Sequence, residues 1–278
     1  MPSLFKVKKY SGESEPFSVK KVYNSAMRAG ASSSLAKEIS REVEKEVYDN
    51  IPTLEIFKKV KDRLKEEDLA LALRFSLKDA MKRLGPAGFI FEDFVREVLS
   101  HYGMKVGKSM IVSGRCCKYE IDFLAENDNS VYLGECKYRN NPGDKVDINV
   151  CLKSFAILDD VKNGGRFKGK DINFLIVTNS RFTDEALRYS SCKGIELLGW
   201  DYPKNEGLED MVEGKKLYPV TILPSFRGRL AEELKRQRKM LVIDILGLNI
   251  EKFAKRANIP GKQAESLKRE AEILMEKR

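Results

Sequence analysis

Between Tyr119 and Tyr138 the chain runs Y-E-I-D-F-L-A-E-N-D-N-S-V-Y-L-G-E-C-K-Y, two short apolar stretches around the polar turn Glu126-Asn127-Asp128-Asn129-Ser130. Such a turn between β-favouring segments predicts a β-hairpin. Each arm carries charge where a buried strand should have none: Asp122 in the first, Glu135 and Lys137 in the second. Side chains alternate faces along a strand, and residues two apart lie roughly 6.6 Å from one another, so Glu135 and Lys137 share a face and Cys136 points away. A charge buried in a sheet is costly unless it is paired or bound to an ion. Asp122 placed beside Glu135 gives two repelling carboxylates, a pair that a divalent cation would join. Mg²⁺, or Mn²⁺ in its place, suits the gap, because it takes one or two carboxylates together with waters and substrate phosphate oxygens.

Twelve residues separate Asp122 from the Glu135-Cys136-Lys137 triplet. This arrangement resembles the PD-(D/E)xK nucleases, with Ile121 where that superfamily usually has Pro. The resemblance implies that Asp122 and Glu135 are metal ligands and that Lys137 acts on the attacking water or on phosphate charge. A solvated amphipathic hairpin would carry the same letters.

Composition narrows the alternatives. A single histidine, His101, excludes HNH nucleases, zinc hydrolases and Ser-His-Asp sites, so phosphodiester chemistry would fall to carboxylates and lysine. His101 itself, in V-L-S-H-Y-G, reads as a cation at a helix C-terminus. Five cysteines form no C-x-x-C pair, as expected for reduced thiols in a cytoplasmic protein without structural zinc. No apolar run is long enough to span a membrane, and M-P-S-L-F-K-V-K-K lacks the apolar core of a signal peptide. The formal net charge is +9, and the segment from Lys215 to Arg278 holds 16 Lys and Arg against 8 Asp and Glu. That placement points to a polyanionic partner bound by the last quarter of the chain, or to a solvated helical surface.

At 278 residues the chain suits an α/β multidomain protein. Residues 1–84 form a first unit: a small hairpin turning at Ser11-Gly12, a helix starting near Ser18, stripes of Ile39, Val43, Val47 and of Ile56, Val60, Leu64, and an Ala/Leu-rich helix from Asp68 to Leu84. The pattern Val7, Lys9, Gly12, Glu15, Phe17 and Lys21, with Thr53 in D-N-I-P-T-L-E-I-F, resembles the ATP-cone, a regulatory nucleotide-binding module. The resemblance implies ATP or dATP as ligand, held by Val7, Lys9, Tyr10, Gly12, Lys21 and Thr53. The lysines offer cations to the triphosphate, the Gly12 turn permits close backbone approach, and Tyr10, where the family usually has Arg, offers a ring for stacking.

Gly85-Pro86-Ala87-Gly88 marks a boundary, and residues 88–202 form the second unit. Its first helix, G-F-I-F-E-D-F-V-R-E-V-L, buries Phe91, Phe94, Val95 and Val98. Glu92 is either a carboxylate favoured by the helix N-terminus or, by resemblance to Mrr-type nucleases, a supporting acid of the metal site. Past the hairpin come a helix from Asp147 to Val161, the strand I-N-F-L-I-V-T-N-S, a helix capped by Thr183, and the strand G-I-E-L-L. With V-T-N-S-R-F-T-D-E-A this resembles the second half of the Mrr-type, restriction-endonuclease-like mixed-sheet fold. Gly164–Asp171 matches G-x-x-x-x-G-K but precedes a strand, which excludes a Walker site, and reads as a basic loop near the substrate channel.

Residues 203–278 are expected to be a basic helical DNA-binding tail, extended at Leu217–Val220 and helical from Arg229. A-N-I-P-G-K-Q-A-E-S-L resembles a helix-hairpin-helix element, with Asn258 at the usual first Gly, and implies that Gly261 and Lys262 meet a DNA phosphate; a helical dimerisation tail is the other reading. The whole reads as a nucleotide-responsive, Mg²⁺-dependent DNA endonuclease that acts as a homodimer. Its rivals are a DNA-binding regulator that does not cut and a Holliday-junction-resolvase-like enzyme for branched DNA.

Overall fold

The computed structural model describes residues 5–10, 12–85, 91–141 and 143–276. The chain is a mixed α/β protein of two compact units, Met1–Met81 with Pro219–Arg278, and Lys82–Tyr218. Among the described residues, no helix is long and apolar enough to cross a membrane.

The first unit opens with β1 (Lys6–Lys8) and β2 (Ser14–Pro16), antiparallel with Val7 opposite Glu15. Gly12 turns between them at φ +87°, a left-handed conformation open to glycine; Ser11, its expected partner in the turn, lies outside the described residues. Ser18 starts α1 (Val19–Arg28) by accepting from Lys21 N at 3.3 Å, and Ser32 starts α2 (Ser33–Lys45) by accepting from Leu35 N at 3.2 Å. β3 (Ile51–Pro52) joins β1 in parallel and runs straight into α3 (Thr53–Glu67). The apolar stripes meet in one core of Ile39, Val43, Val47, Ile51, Val60 and Leu64, with Ile56 partly buried against it.

The helix expected from Asp68 to Leu84 is divided at Ser76 into α4 (Leu69–Phe75) and α5 (Leu77–Arg83). Ser76 N donates to Leu73 O at 2.9 Å while its hydroxyl donates to Ala72 O at 2.8 Å, which tightens the turn and breaks the helical ladder.

In the second unit, Gly85 is described, whereas the remainder of the expected boundary, Pro86–Gly88, and the expected helix start at Phe89 lie outside the described residues. α6 (Phe91–His101) buries Phe91, Phe94, Val95 and Val98, as its spacing predicts. After β4 (Lys105–Gly107) and β5 (Met110–Ser113), the first arm of the expected hairpin is split. β6 (Lys118–Ile121) pairs with β5, whereas β7 (Phe123–Glu126) pairs with β8 (Ser130–Lys137), and Asp122 occupies the bend between them. Asn127 Oδ1 accepts from Asn129 N and Ser130 N and closes the turn.

β9 (Lys145–Val146) leads to α7 (Ile148–Gly164), capped by Asp147, whose carboxylate accepts from Asn149 N at 2.8 Å. β10 (Asp171–Thr178), β11 (Arg181–Phe182), α8 (Asp184–Lys193), β12 (Glu196–Leu198) and α9 (Leu208–Gly214) complete the unit. The five-stranded sheet has the order β12-β10-β8-β7-β4, parallel on the β10 side of β8 and antiparallel on the β7 side. Val131, Leu133, Phe174 and Ile176 share a core with Cys151, Ile157, Leu158 and Val161 of α7.

The parallel register, Asp171↔Ser130 through Thr178↔Lys137, corrects the expectation for the 164–171 loop. The loop feeds the start of β10, whereas Lys137 stands at the other end, seven steps or roughly 23 Å along the strand. Two of its cations are also engaged: Lys170 pairs with Glu126 at 2.6 Å, and Arg166 donates to Ile111 O at 3.4 Å and lies over the Phe167 ring.

The expected tail is divided between the units. Residues 203–218 belong with the second, where Tyr102 donates to Met211 O at 2.9 Å. From Pro219 the chain returns to the first unit through a 3-10 turn at Val220–Ile222, α10 (Gly228–Arg236), α11 (Val242–Leu246), α12 (Ile250–Ala257) and α13 (Gly261–Met275). α13 packs on α11, α12 and α4, with Ala264, Leu267, Ala271 and Leu274 wholly buried. Arg74, itself buried, donates to Leu274 O at 3.5 Å, and Thr221 donates to Ala80 O at 2.7 Å. These helices therefore share a core with the first unit, because the apolar stripe of α13 needs a surface to cover it.

Candidate functional site

In the first unit, a cavity of about 200 Å³ opens beside the small sheet, with Val7, Phe17, Ile56, Phe57, Val60 and Phe75 among its walls and Glu15, Ser18, Lys21, Ser25 and Thr53 among its polar lining. Phe57 and Phe75 are stacked at 4.9 Å between centroids. Lys9 and Lys21 converge on one carboxylate: Glu15 lies 3.0 Å from the first amine and 2.8 Å from the second. The two ammonium groups, Lys21 foremost, hold the Glu15 carboxyl below its ordinary range. Thr53 starts α3 and donates to Lys8 O at 3.2 Å, tying the helix to β1. Val7, Lys21 and Thr53 thus border the cavity, Lys9 reaches it through Glu15, and Tyr10 is 78% exposed beside the Gly12 turn. The aromatic walls escaped the motif, although Phe57 and Phe75 sit at helical spacings that a core would also produce.

In the second unit, the last paired residues of β7 and β8 are Phe123 and Gly134, so the next step puts Asp122 opposite Glu135. Asp122 N donates to Gly134 O at 2.9 Å, and Cys136 N donates to Asp122 Oδ2 at 2.6 Å. That second bond aims the carboxylate along the exit of β8. Glu135 is 7% exposed and ion-paired with Lys137, the same-face contact that strand alternation requires. Cys136 is buried, and burial first, then the Asp122 charge, pushes its thiol well above the ordinary range.

Burial raises the Asp122 carboxyl, with the Glu135 charge adding to the rise and the Cys136 N–H opposing it. Glu92, in the first turn of α6, is raised by burial and then by the Asp122 charge, while Arg96 opposes. Glu92, Asp122, Glu135 and Lys137 therefore act electrostatically on one another. Lys153 of α7 also lowers the Asp122 carboxyl, an influence that a long helix after the hairpin did not advertise in sequence. Among the described residues, no three His, Cys, Asp or Glu side chains are grouped to hold a metal ion. A two-carboxylate site completed by water and phosphate, the pattern Mg²⁺ favours, requires no such group.

Gly261 and Lys262 open α13, both exposed, and no heavy atom stands within 4 Å of where a Gly261 side chain would be. Asn258 ends α12 in the left-handed conformation at φ 50°, and Pro260 precedes α13. The two helices expected on either side of Ile259-Pro260 are present as α12 and α13. His101 ends α6, its ring Nδ1 2.8 Å from Glu97 O.

A family model for the ATP cone domain matches residues 5–79. An uncharacterized protein of Archaeoglobus fulgidus is 35% identical over 156 residues, 56% of this chain and 86% of that protein. The crystal structure of a protein of unknown function, AF1548, superposes with a TM-score of 0.54 at 32% identity, covering 66% of this chain and 95% of that one. Can2 from Sulfobacillus thermosulfidooxidans, solved with cyclic tetra-adenylate, aligns at a TM-score of 0.32 and 15% identity over 73% of this chain and 64% of its own, too little to speak to function. This chain carries an ATP-cone domain and belongs to the family of the Archaeoglobus fulgidus protein.

Proposed function

We propose that this chain is a nucleotide-regulated, Mg²⁺-dependent DNA endonuclease that hydrolyses phosphodiester bonds in the cytoplasm. The observation that carries this reading is the Glu135–Lys137 ion pair beside the Asp122 carboxylate at one end of the sheet. A purely structural sheet has no use for three converging charges, and the Asp122 carboxyl is raised by burial and then by the Glu135 charge beside it. Asp122 and Glu135 would hold Mg²⁺ or Mn²⁺ through hard oxygen donors, and Glu92 would add a supporting acid. The ion, when bound, supplies Lewis-acid polarisation of the phosphate. Lys137 presents its ammonium to charge developing on the phosphate or holds the attacking water. The Cys136 N–H fixes Asp122 in the required direction, so the carboxylate reorganises little on binding.

Control is assigned to the ATP-cone cavity, with ATP or dATP as ligand, its triphosphate taking over Lys9 and Lys21 from Glu15. Val7 and Thr53 border the base or sugar, Tyr10 stacks from outside, and the Gly12 turn leaves room for a phosphate. Gly261 and Lys262 grip a DNA phosphate through the start of α13, without reading bases. A homodimer would bring two such sites to a duplex, one for each strand.

Incubation of the purified protein with linear duplex, branched and single-stranded DNA, in Mg²⁺ or in EDTA, tests the reading. Cleavage in Mg²⁺ alone is expected. Cleavage restricted to branched DNA would make the enzyme a resolvase, and binding without cleavage in Mg²⁺ or Mn²⁺ would make it a regulator.

A further inference from the structure

The register of β8 and β10 ends at Lys137↔Thr178, yet pairing continues one step further through a side chain. Arg139 N donates to Asn179 Oδ1 at 2.8 Å, and Asn179 Nδ2 donates to Arg139 O at 2.9 Å. The carboxamide thus satisfies both backbone groups of Arg139, as a neighbouring strand would. Asn179 is 6% exposed, so this is an interior contact, and Thr178 donates to Lys137 O at 2.6 Å beside it. Both residues after the apolar run of β10 are spent on holding the exit of β8.

Extended backbone continued past Lys137 puts residue 139 on the face of Glu135 and Lys137, roughly 6.6 Å from Lys137 along the chain. Arg139 is partly buried, and among the described residues no acid pairs with its guanidinium. A guanidinium with a free fork beside a carboxylate–lysine site is chemically fitted to a phosphate oxyanion, which it binds through two parallel N–H donors.

We propose that Arg139 anchors a backbone phosphate of the nucleic acid at the nuclease site, and that Asn179 is its positioning residue. The inference rests on the nuclease reading above and adds a substrate-holding cation absent from the nuclease motif. It assigns the T-N pair at the end of β10 a task in binding rather than in chemistry.

Steady-state cleavage and fluorescence-anisotropy binding of one duplex, across a series of salt concentrations, test this with wild type, Arg139→Ala, Arg139→Lys, Asn179→Ala and the double variant. Arg139→Ala is expected to raise KM and Kd about tenfold with a much smaller change in kcat, and to reduce the log–log salt slope by about one. Arg139→Lys should restore the slope and part of the affinity. Asn179→Ala should reproduce the KM defect, and the double variant should be no worse than Arg139→Ala, since both remove one contact. A defect that merely reflected loss of structure would add in the double variant and overturn the positioning role. Unchanged Kd and salt slope in Arg139→Ala would overturn the anchor whether or not the wild type cuts. A wild type that binds but does not cut would fail the endonuclease reading alone, with the binding slopes still deciding Arg139.

Discussion

Cys136 N donates to Asp122 Oδ2 at 2.6 Å, so a backbone group of one strand aims the acid that stands at the bend of the next. The hydrogen bond favours the charged form of Asp122, yet burial and the Glu135 charge prevail and the carboxyl titrates high.

The carboxyls of Asp122 and Glu92 are both raised in the folded chain, chiefly by burial. A group that binds its proton more tightly when folded adds stability below its ordinary pKa, and that stability is lost as pH rises through the raised value. Metal-free protein should therefore lose melting temperature as pH climbs above the ordinary carboxylate range. Mg²⁺ should restore more at pH 8 than at pH 5. Asp122→Asn should melt higher than wild type in EDTA and ignore Mg²⁺; a variant that melts lower and still responds to Mg²⁺ would contradict the account.

Lys137→Gln separates chemistry from binding. The variant should bind duplex DNA with little change in affinity and lose cleavage by about a hundredfold or more, the usual scale for removing a group that stabilises transition-state charge. It should also lose stability, because Glu135 is left buried without its cation. Cleavage within a few-fold of wild type would remove Lys137 from the mechanism.

Gly134 tests the packing under the site. A methyl group there would stand 2.3 Å from the ring of Phe123, which is itself wholly buried and has nowhere to move. Gly134→Ala should lower stability by about 1–3 kcal/mol, the range for overpacking a core, read from urea unfolding. An unchanged midpoint would mean that β7 and β8 separate more readily than this core implies.

For the nucleotide cavity, millimolar ATP or dATP should raise the melting temperature, as binding to the folded state requires. Lys9→Ala with Lys21→Ala should abolish the rise, because the two cations that share Glu15 are then gone. The same rise in the double variant would place the triphosphate elsewhere.

Much of this was legible in the sequence, and the limits have physical causes. The hairpin, the Glu135–Lys137 pairing, the Ser18 and Thr183 caps and the Asn258-to-Gly261 turn all follow from local rules, because each depends on residues a few positions apart. The break at Ser76 was hidden, since a hydroxyl that bonds back to Ala72 looks in sequence like an ordinary helical serine. The return of residues 219–278 to the first unit was hidden more deeply. Arg74 meets Leu274 across 200 residues, and no periodicity reports which of two apolar surfaces a stripe will cover. A truncation after Arg227 would therefore strip core from the first unit, so Lys262→Ala is the cleaner probe of DNA contact, with the salt slope of binding reduced by about one.

The central claim is that Asp122 and Glu135 share one divalent ion. Mn²⁺ titration followed by electron paramagnetic resonance measures this directly. The account predicts one ion per chain, lost in Asp122→Asn and in Glu135→Gln while both variants remain folded. Wild type and variants that bind Mn²⁺ equally, or a wild type that binds none, would contradict it.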